Sequence, residues 1–130
     1  MKISHEIPSI YEECRKHFGV DWDKGIIMTY GDTVYCKFDL SEQKLVHEQI
    51  HIEQQSKIGV EKWWQEYFKN KEFRLSQELE AYVNEAKFIK NVVKDRNQKF
   101  NLIRTIALDL SGYIYGNIIS YNEAFKTLNQ

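Results

Sequence analysis

The stretch Leu45-Val46-His47-Glu48-Gln49-Ile50-His51 contains a His-Glu-x-x-His pattern. Positions i and i+4 share a face on a helix, so His47 and His51 project the same way, one turn apart. Two neutral imidazoles at that spacing suit two corners of a tetrahedral Zn²⁺ site. Glu48 is rotated about 100° around the helix from His47. That displacement fits a base for metal-activated water better than a third ligand.

A catalytic zinc takes three protein ligands and leaves a fourth position for water or substrate. The third is expected from a later helix. Leu75, Leu79, Tyr82, Val83, Ala86, Ile89 and Val93 follow helical spacing, which predicts a long amphipathic helix over about residues 73–94. It carries Glu78, Glu80 and Glu85. Glu80 flanks the apolar stripe on the Val83 side, and Glu78 and Glu85 flank it on the Tyr82/Ile89 side. Periodicity leaves both edges open.

His47-Glu48-Gln49-Ile50-His51 followed by a glutamate on a later helix resembles the gluzincin group of zinc metallopeptidases. In compact members the glutamate ligand is followed by Ala and an aromatic or small residue. Glu80-Ala81-Tyr82 matches that order, and the gap from His51 to Glu80 resembles theirs. Asn84-Glu85-Ala86 resembles the Asn-Glu-Ala run of another subgroup and makes Glu85 the rival; Glu78 ranks third. The layout over residues 20–90 is similar to that of small metallopeptidases of bacteria and their phages. No third histidine follows at the spacing of metzincins, so that group is set aside. The resemblance implies Zn²⁺ on His47, His51 and Glu80. Glu48 would then act as general base, taking a proton from the attacking water and delivering it to the leaving amine. Tyr113, Tyr115 and Arg104 are candidate donors to the oxyanion, and Asn84 and Asp109 are candidates to orient the histidine rings.

The elements around the motif must hold it rigid. Ser9-Ile10-Tyr11-Glu12 fits a capping box opening a short helix that stops at Gly19, and its His17 reads as a surface histidine. Gly25–Tyr30 and Thr33–Phe38 are β-rich runs around Gly31-Asp32, the order of a II′ hairpin turn. A strand edge beside a metal could hold an extended peptide by backbone hydrogen bonds. Asp39 is the expected N-cap of the motif helix, with Glu42 reaching back. That helix carries Leu45, Val46, Ile50 and Ile58 and stops near Gly59. Residues 60–68 form an aromatic helix whose Trp63, Trp64, Tyr67 and Phe68 read as packing residues. A further helix uses Ile103, Ile106, Ala107 and Leu110. Ser120-Tyr121-Asn122-Glu123 opens a last one. The expected fold is α+β and mainly α-helical, a single zincin-like domain over residues 1–130 with a small N-terminal β-hairpin or sheet.

Composition supports a packed chain without a polyanion-binding surface. Hydrophobic residues make up 42% and aromatic residues 14% of 130, enough for one core. The formal net charge is −1 with both signs dispersed, which argues against a nucleic-acid ligand. No apolar leader or membrane-length run occurs, so the expectation is a cytoplasmic protein without a membrane partner; a phage association is what the resemblance, not the composition, implies. Cys14 and Cys36 show no C-x-x-C spacing and read as free buried thiols. The function expected is hydrolysis of a peptide or protein by a zinc metallopeptidase. The alternatives are a zinc-stabilised binding or assembly protein without turnover and a metal-free helical interaction domain.

Overall fold

A computed structural model of the chain describes residues 1–112 and 115–130. Its elements run β1 (Lys2–Ser4), α1 (Tyr11–Phe18), a 3-10 turn (Trp22–Lys24), β2 (Ile27–Tyr30), β3 (Thr33–Cys36), α2 (Glu42–Ile58), α3 (Val60–Lys69), α4 (Lys71–Val92), α5 (Arg96–Leu110) and α6 (Tyr121–Leu128). The fold is α+β and mainly helical, with one small sheet, as its sequence leads one to expect.

The β2–β3 hairpin pairs Tyr30 with Thr33 across Gly31-Asp32. Gly31 takes φ 65° while Asp32 stays at negative φ, which is the order of a II′ turn. The sheet gains a third strand that composition does not announce. β1 pairs parallel with β3, so the order is β1-β3-β2 and β2 lies at an edge. Three residues are too few to show a period of two, and their pairing is to residues some thirty positions away.

Two of the expected helix starts shift. Ser9 does not cap α1. Residues 9 and 10 instead turn with Tyr11 N donating to Pro8 O, and Ile10 caps the helix without a side-chain bond. Asp39 does not cap α2 either. Ser41 does, its Oγ accepting from Lys44 N, while exposed Asp39 sits by His5. The expected stop holds, since Gly59 ends α2 at φ 97°. Asn70 caps α4 by accepting from Glu72 N and Phe73 N, so α3 and α4 are joined by that single residue. Ser120 caps α6 through Glu123 N.

The apolar core falls in two parts. Tyr82, Ala86, Ile89, Ile103, Ile106, Leu110 and Leu128 join α4, α5 and α6. Cys14, Trp22, Met28, Trp63, Trp64 and Tyr67 join α1, β2 and α3. Helix α2 lies between them and packs chiefly on α4. Its buried residues are His47, Glu48, His51, Gln54 and Gln55, all polar. Leu45, Val46 and Ile50, the apolar residues the helix carries, are only half-buried, and Ile58 is exposed.

Burying a polar helix face costs several kcal/mol unless each group finds a partner, at about 1–3 kcal/mol per orphaned group. Among the described residues, every buried side-chain nitrogen and oxygen has one. Gln55, wholly buried, spans α2 and β2 by donating to Thr29 O at 2.8 Å and accepting from Gly31 N at 2.7 Å. Trp64 Nε1 also donates to Thr29 O, at 3.1 Å. These bonds fix the motif helix against the strand edge. Among the described residues, no helix is long and apolar enough to cross a membrane.

Candidate metal centre

One turn of α2 separates His47 from His51, and both side chains are buried between α2 and α4. Their Nε2 atoms lie 3.2 Å apart. Glu78 Oε1, from α4, lies 3.1 Å from His47 Nε2 and 3.2 Å from His51 Nε2. The three atoms form a nearly equilateral triangle. A tetrahedral ion with bonds of about 2.0–2.1 Å has ligand-to-ligand edges of about 3.3–3.4 Å, so the donor set fits such an ion with little movement.

The other nitrogen of each ring decides what faces the triangle's centre. His47 Nδ1 is 3.0 Å from Glu85 Oε1, a carboxylate that can only accept, so Nδ1 carries the hydrogen. His51 Nδ1 is 2.8 Å from Gln54 Oε1. That amide's orientation is fixed at its far end, where Nε2 donates to Gln77 O at 3.0 Å and Glu80 Oε1 at 2.8 Å. Its oxygen must therefore face His51. With both Nδ1 positions protonated, each neutral ring turns a bare Nε2 lone pair inward, toward the other ring and toward a carboxylate oxygen. Three electron-rich atoms about 3 Å apart require a cation between them, either a metal ion or protons.

The titration directions agree with this crowding. Burial alone would lower His47, but hydrogen bonds to Glu78 and Glu85 outweigh it and hold the ring at about 10. His51 is likewise raised against its burial, chiefly by the Glu78 charge. Burial would raise Glu78, yet the charge of His51 and bonds from both imidazoles hold its carboxyl well below the usual carboxylate range. Glu85 is lowered against its burial by His47 and Lys44, whose Nζ lies 3.2 Å away.

Around the triangle lies a cleft of about 740 Å³, lined among others by Ile27, Thr29, Glu48, Tyr82, Leu108 and Tyr115. Glu48 is buried, and its Oε2 accepts from Thr29 Oγ1 at 3.5 Å, on the β2 side of the histidines. Tyr67 OH donates to Glu78 Oε2 at 2.5 Å. Tyr82 packs edge-on against His47, and its hydroxyl lies 2.9 Å from that of Tyr115. One proton of that pair serves the bond between them, which leaves one hydroxyl hydrogen to donate elsewhere.

The structure brings His47, Glu48 and His51 together as the spacing requires, but it joins Glu78 to them rather than Glu80. Glu80, the preferred third ligand, is exposed and bonds Gln54 instead. Glu78 and Glu80 are about 200° apart around α4, and α2 lies on the Tyr82/Ile89 edge. Glu85 is on that edge too, one heptad beyond Glu78, where it meets the back of His47. Neither expected orienting residue bonds a histidine: Asn84 donates to Glu80 O, and Asp109 sits at the cleft near Lys44, its carboxyl pushed up by burial. Gln54 and Glu85 fill those roles. A glutamine three residues after a motif histidine gives no signal by type, although its position on the same helical face does. Of the oxyanion candidates, Tyr115 lines the cleft, Arg104 is exposed on α5, and Tyr113 lies outside the described residues. His17 stacks on Phe68, with ring centres 4.5 Å apart, away from the triangle. Both cysteines are free and buried.

No family model matches the chain, and neither curated proteins nor solved structures give a match.

Proposed function

We propose that the chain is a zinc-dependent, gluzincin-type metallopeptidase whose ion is held by His47, His51 and Glu78 and whose general base is Glu48. The observation that carries this reading is the convergence of two imidazole Nε2 atoms and a carboxylate oxygen at one buried point, with a second carboxylate at the cleft beside them. A metal-free interaction domain has no use for such a cluster, because an apolar helix face would pack there without its desolvation cost.

Zn²⁺ in that position supplies Lewis acidity to a water and to the carbonyl under attack. Glu48 takes the proton from the water and hands it to the departing amine. Thr29 Oγ1 steadies the carboxylate oxygen that is not receiving the proton. The free hydroxyl hydrogen of the Tyr82–Tyr115 pair is the donor for charge growing on the carbonyl oxygen.

A peptide or protein in extended form is the substrate class that suits the strand edge. Thr29 O is already taken by Gln55 and Trp64, so pairing would use the Ile27 end of β2. Residues outward at an antiparallel edge alternate, and Ile27 faces the same way as Thr29.

The test has two parts. Protein purified without added metal is analysed for zinc and titrated with it, then presented with a peptide library read by mass spectrometry. Wild type is expected to bind one equivalent and cleave. Glu48→Gln is expected to keep the metal and lose about 10²–10⁴-fold in rate, the usual worth of a general base. Absence of binding sinks the metal site, and binding without cleavage leaves a zinc-stabilised binding protein.

A further inference from the structure

We infer that Tyr67 is a positioning residue that confines Glu78 to one-oxygen ligation, keeping a coordination position free for the reacting groups. This rests on the reading of His47, His51 and Glu78 as the metal ligands.

The two oxygens of Glu78 have separate employment. Oε1 faces both imidazole nitrogens, at 3.1 and 3.2 Å. Oε2 accepts the Tyr67 hydroxyl at 2.5 Å, the length of a charge-assisted O–H···O⁻ bond, which is about twice as strong as a neutral one. A carboxylate bound to a divalent ion can use one oxygen or both. With two histidines, a chelating Glu78 would supply a fourth protein donor, where a catalytic zinc has three. The phenol opposes that swing by engaging Oε2 in its own hydrogen bond while Oε1 alone meets the histidines.

Tyr67 is itself fixed. It is buried on α3, its ring stacks on Trp63 with centres 4.8 Å apart and planes at 21°, and the edge of Phe18 closes one side. The Arg74 guanidinium lies 5.6 Å from the ring centre and binds Tyr67 O through Nε at 2.8 Å. A hydroxyl on so constrained a ring has one place to go, and Glu78 Oε2 occupies it.

The experiment replaces zinc with Co²⁺ and compares wild type with Tyr67→Phe by visible absorption at saturating metal. Wild type should show the intense bands of a four-coordinate ion. Tyr67→Phe should lose intensity and shift toward the weaker bands of five-coordination as Glu78 turns both oxygens to the ion. An unchanged spectrum in Tyr67→Phe overturns the inference and leaves Tyr67 a packing residue, a role that would lower the melting temperature without moving the bands. X-ray absorption of zinc-loaded wild type gives a second reading that needs no variant to fold. The metal-to-carboxyl-carbon distance of Glu78 should be the longer one of single-oxygen ligation, and the shorter chelate distance overturns the inference. If wild type takes up neither Co²⁺ nor zinc, the ligand set fails and the inference with it. If wild type binds metal and only the Tyr67 comparison fails, the ligand set stands.

Discussion

Glu85 Oε1 lies 3.0 Å from His47 Nδ1, on the far side of the ring from the Nε2 that faces Glu78. The carboxylate thus determines which nitrogen of His47 carries the hydrogen and makes the inward one a better electron donor. Lys44 and Gln43 hold the same carboxylate from the α2 side, at 3.2 and 2.8 Å. Glu85→Ala should weaken zinc binding by about 10–100-fold, the usual cost of losing such a partner. Glu85→Gln keeps an acceptor oxygen and should lose less. Competition against a chromophoric chelator reads both, and equal affinity for wild type and Glu85→Ala would show that the contact does not tune the ring.

Three glutamates on α4 differ in what they touch, so their alanine variants should separate. Glu78→Ala removes an atom of the triangle and should abolish stoichiometric zinc at micromolar protein. Glu80→Ala acts only through Gln54, which still donates to Gln77 O, and should cost less than Glu85→Ala. Metal retained by Glu78→Ala but lost by Glu80→Ala would reverse the assignment.

The legible part of the site was its period. His47 and His51 follow from spacing alone, and so does the existence of an acidic helix to face them. Which face of that helix turns inward does not. Glu78 and Glu80 both border an apolar stripe, and the choice depends on where α2 lands, a tertiary fact. A clue lay in α2 itself: residues 47, 48, 51, 54 and 55 fall at i, i+1, i+4, i+7 and i+8, a continuous polar stripe at core spacing. The neighbouring Leu45, Val46 and Ile50 offered a conventional apolar face, but they ended half-buried because the polar stripe had bonding partners waiting on α4 and β2. The helices and the hairpin were readable from period and turn chemistry. β1 was not, since its pairing with β3 is made by distant residues rather than by any pattern within it.

Burial pushes the Cys14 thiol up to about 12, with the Glu13 charge adding to the effect, and burial also raises Cys36. A thiol needs its thiolate to react. Native protein at pH 8 should therefore give no fast reaction with an aromatic disulfide reagent, and denatured protein should give two equivalents. A rapidly reacting native thiol would contradict the burial of both residues.

On the proposed reading, protons and metal compete for the triangle, and the sign of the competition is fixed by the two partners. In the metal-free protein His47 titrates at about 10 against an ordinary value of 6.5. A group raised on folding contributes stability that is complete below its unfolded value and disappears as pH climbs through the folded one. Glu78 is depressed from an ordinary 4.5, so its contribution is complete above that value and fades as pH falls. Both contributions are full only between about pH 4.5 and 6.5. The metal-free protein should thus melt highest in that window and lose stability from pH 7 to 10. Zinc needs both rings neutral, so loading must expel protons, and apparent affinity should rise with pH across the same range. Titration calorimetry at pH 7.5 in two buffers of different ionisation enthalpy measures the release directly. Binding enthalpies that coincide in the two buffers would mean that the histidines were already deprotonated, and that the Glu78 and Glu85 contacts do not hold protons in the empty site.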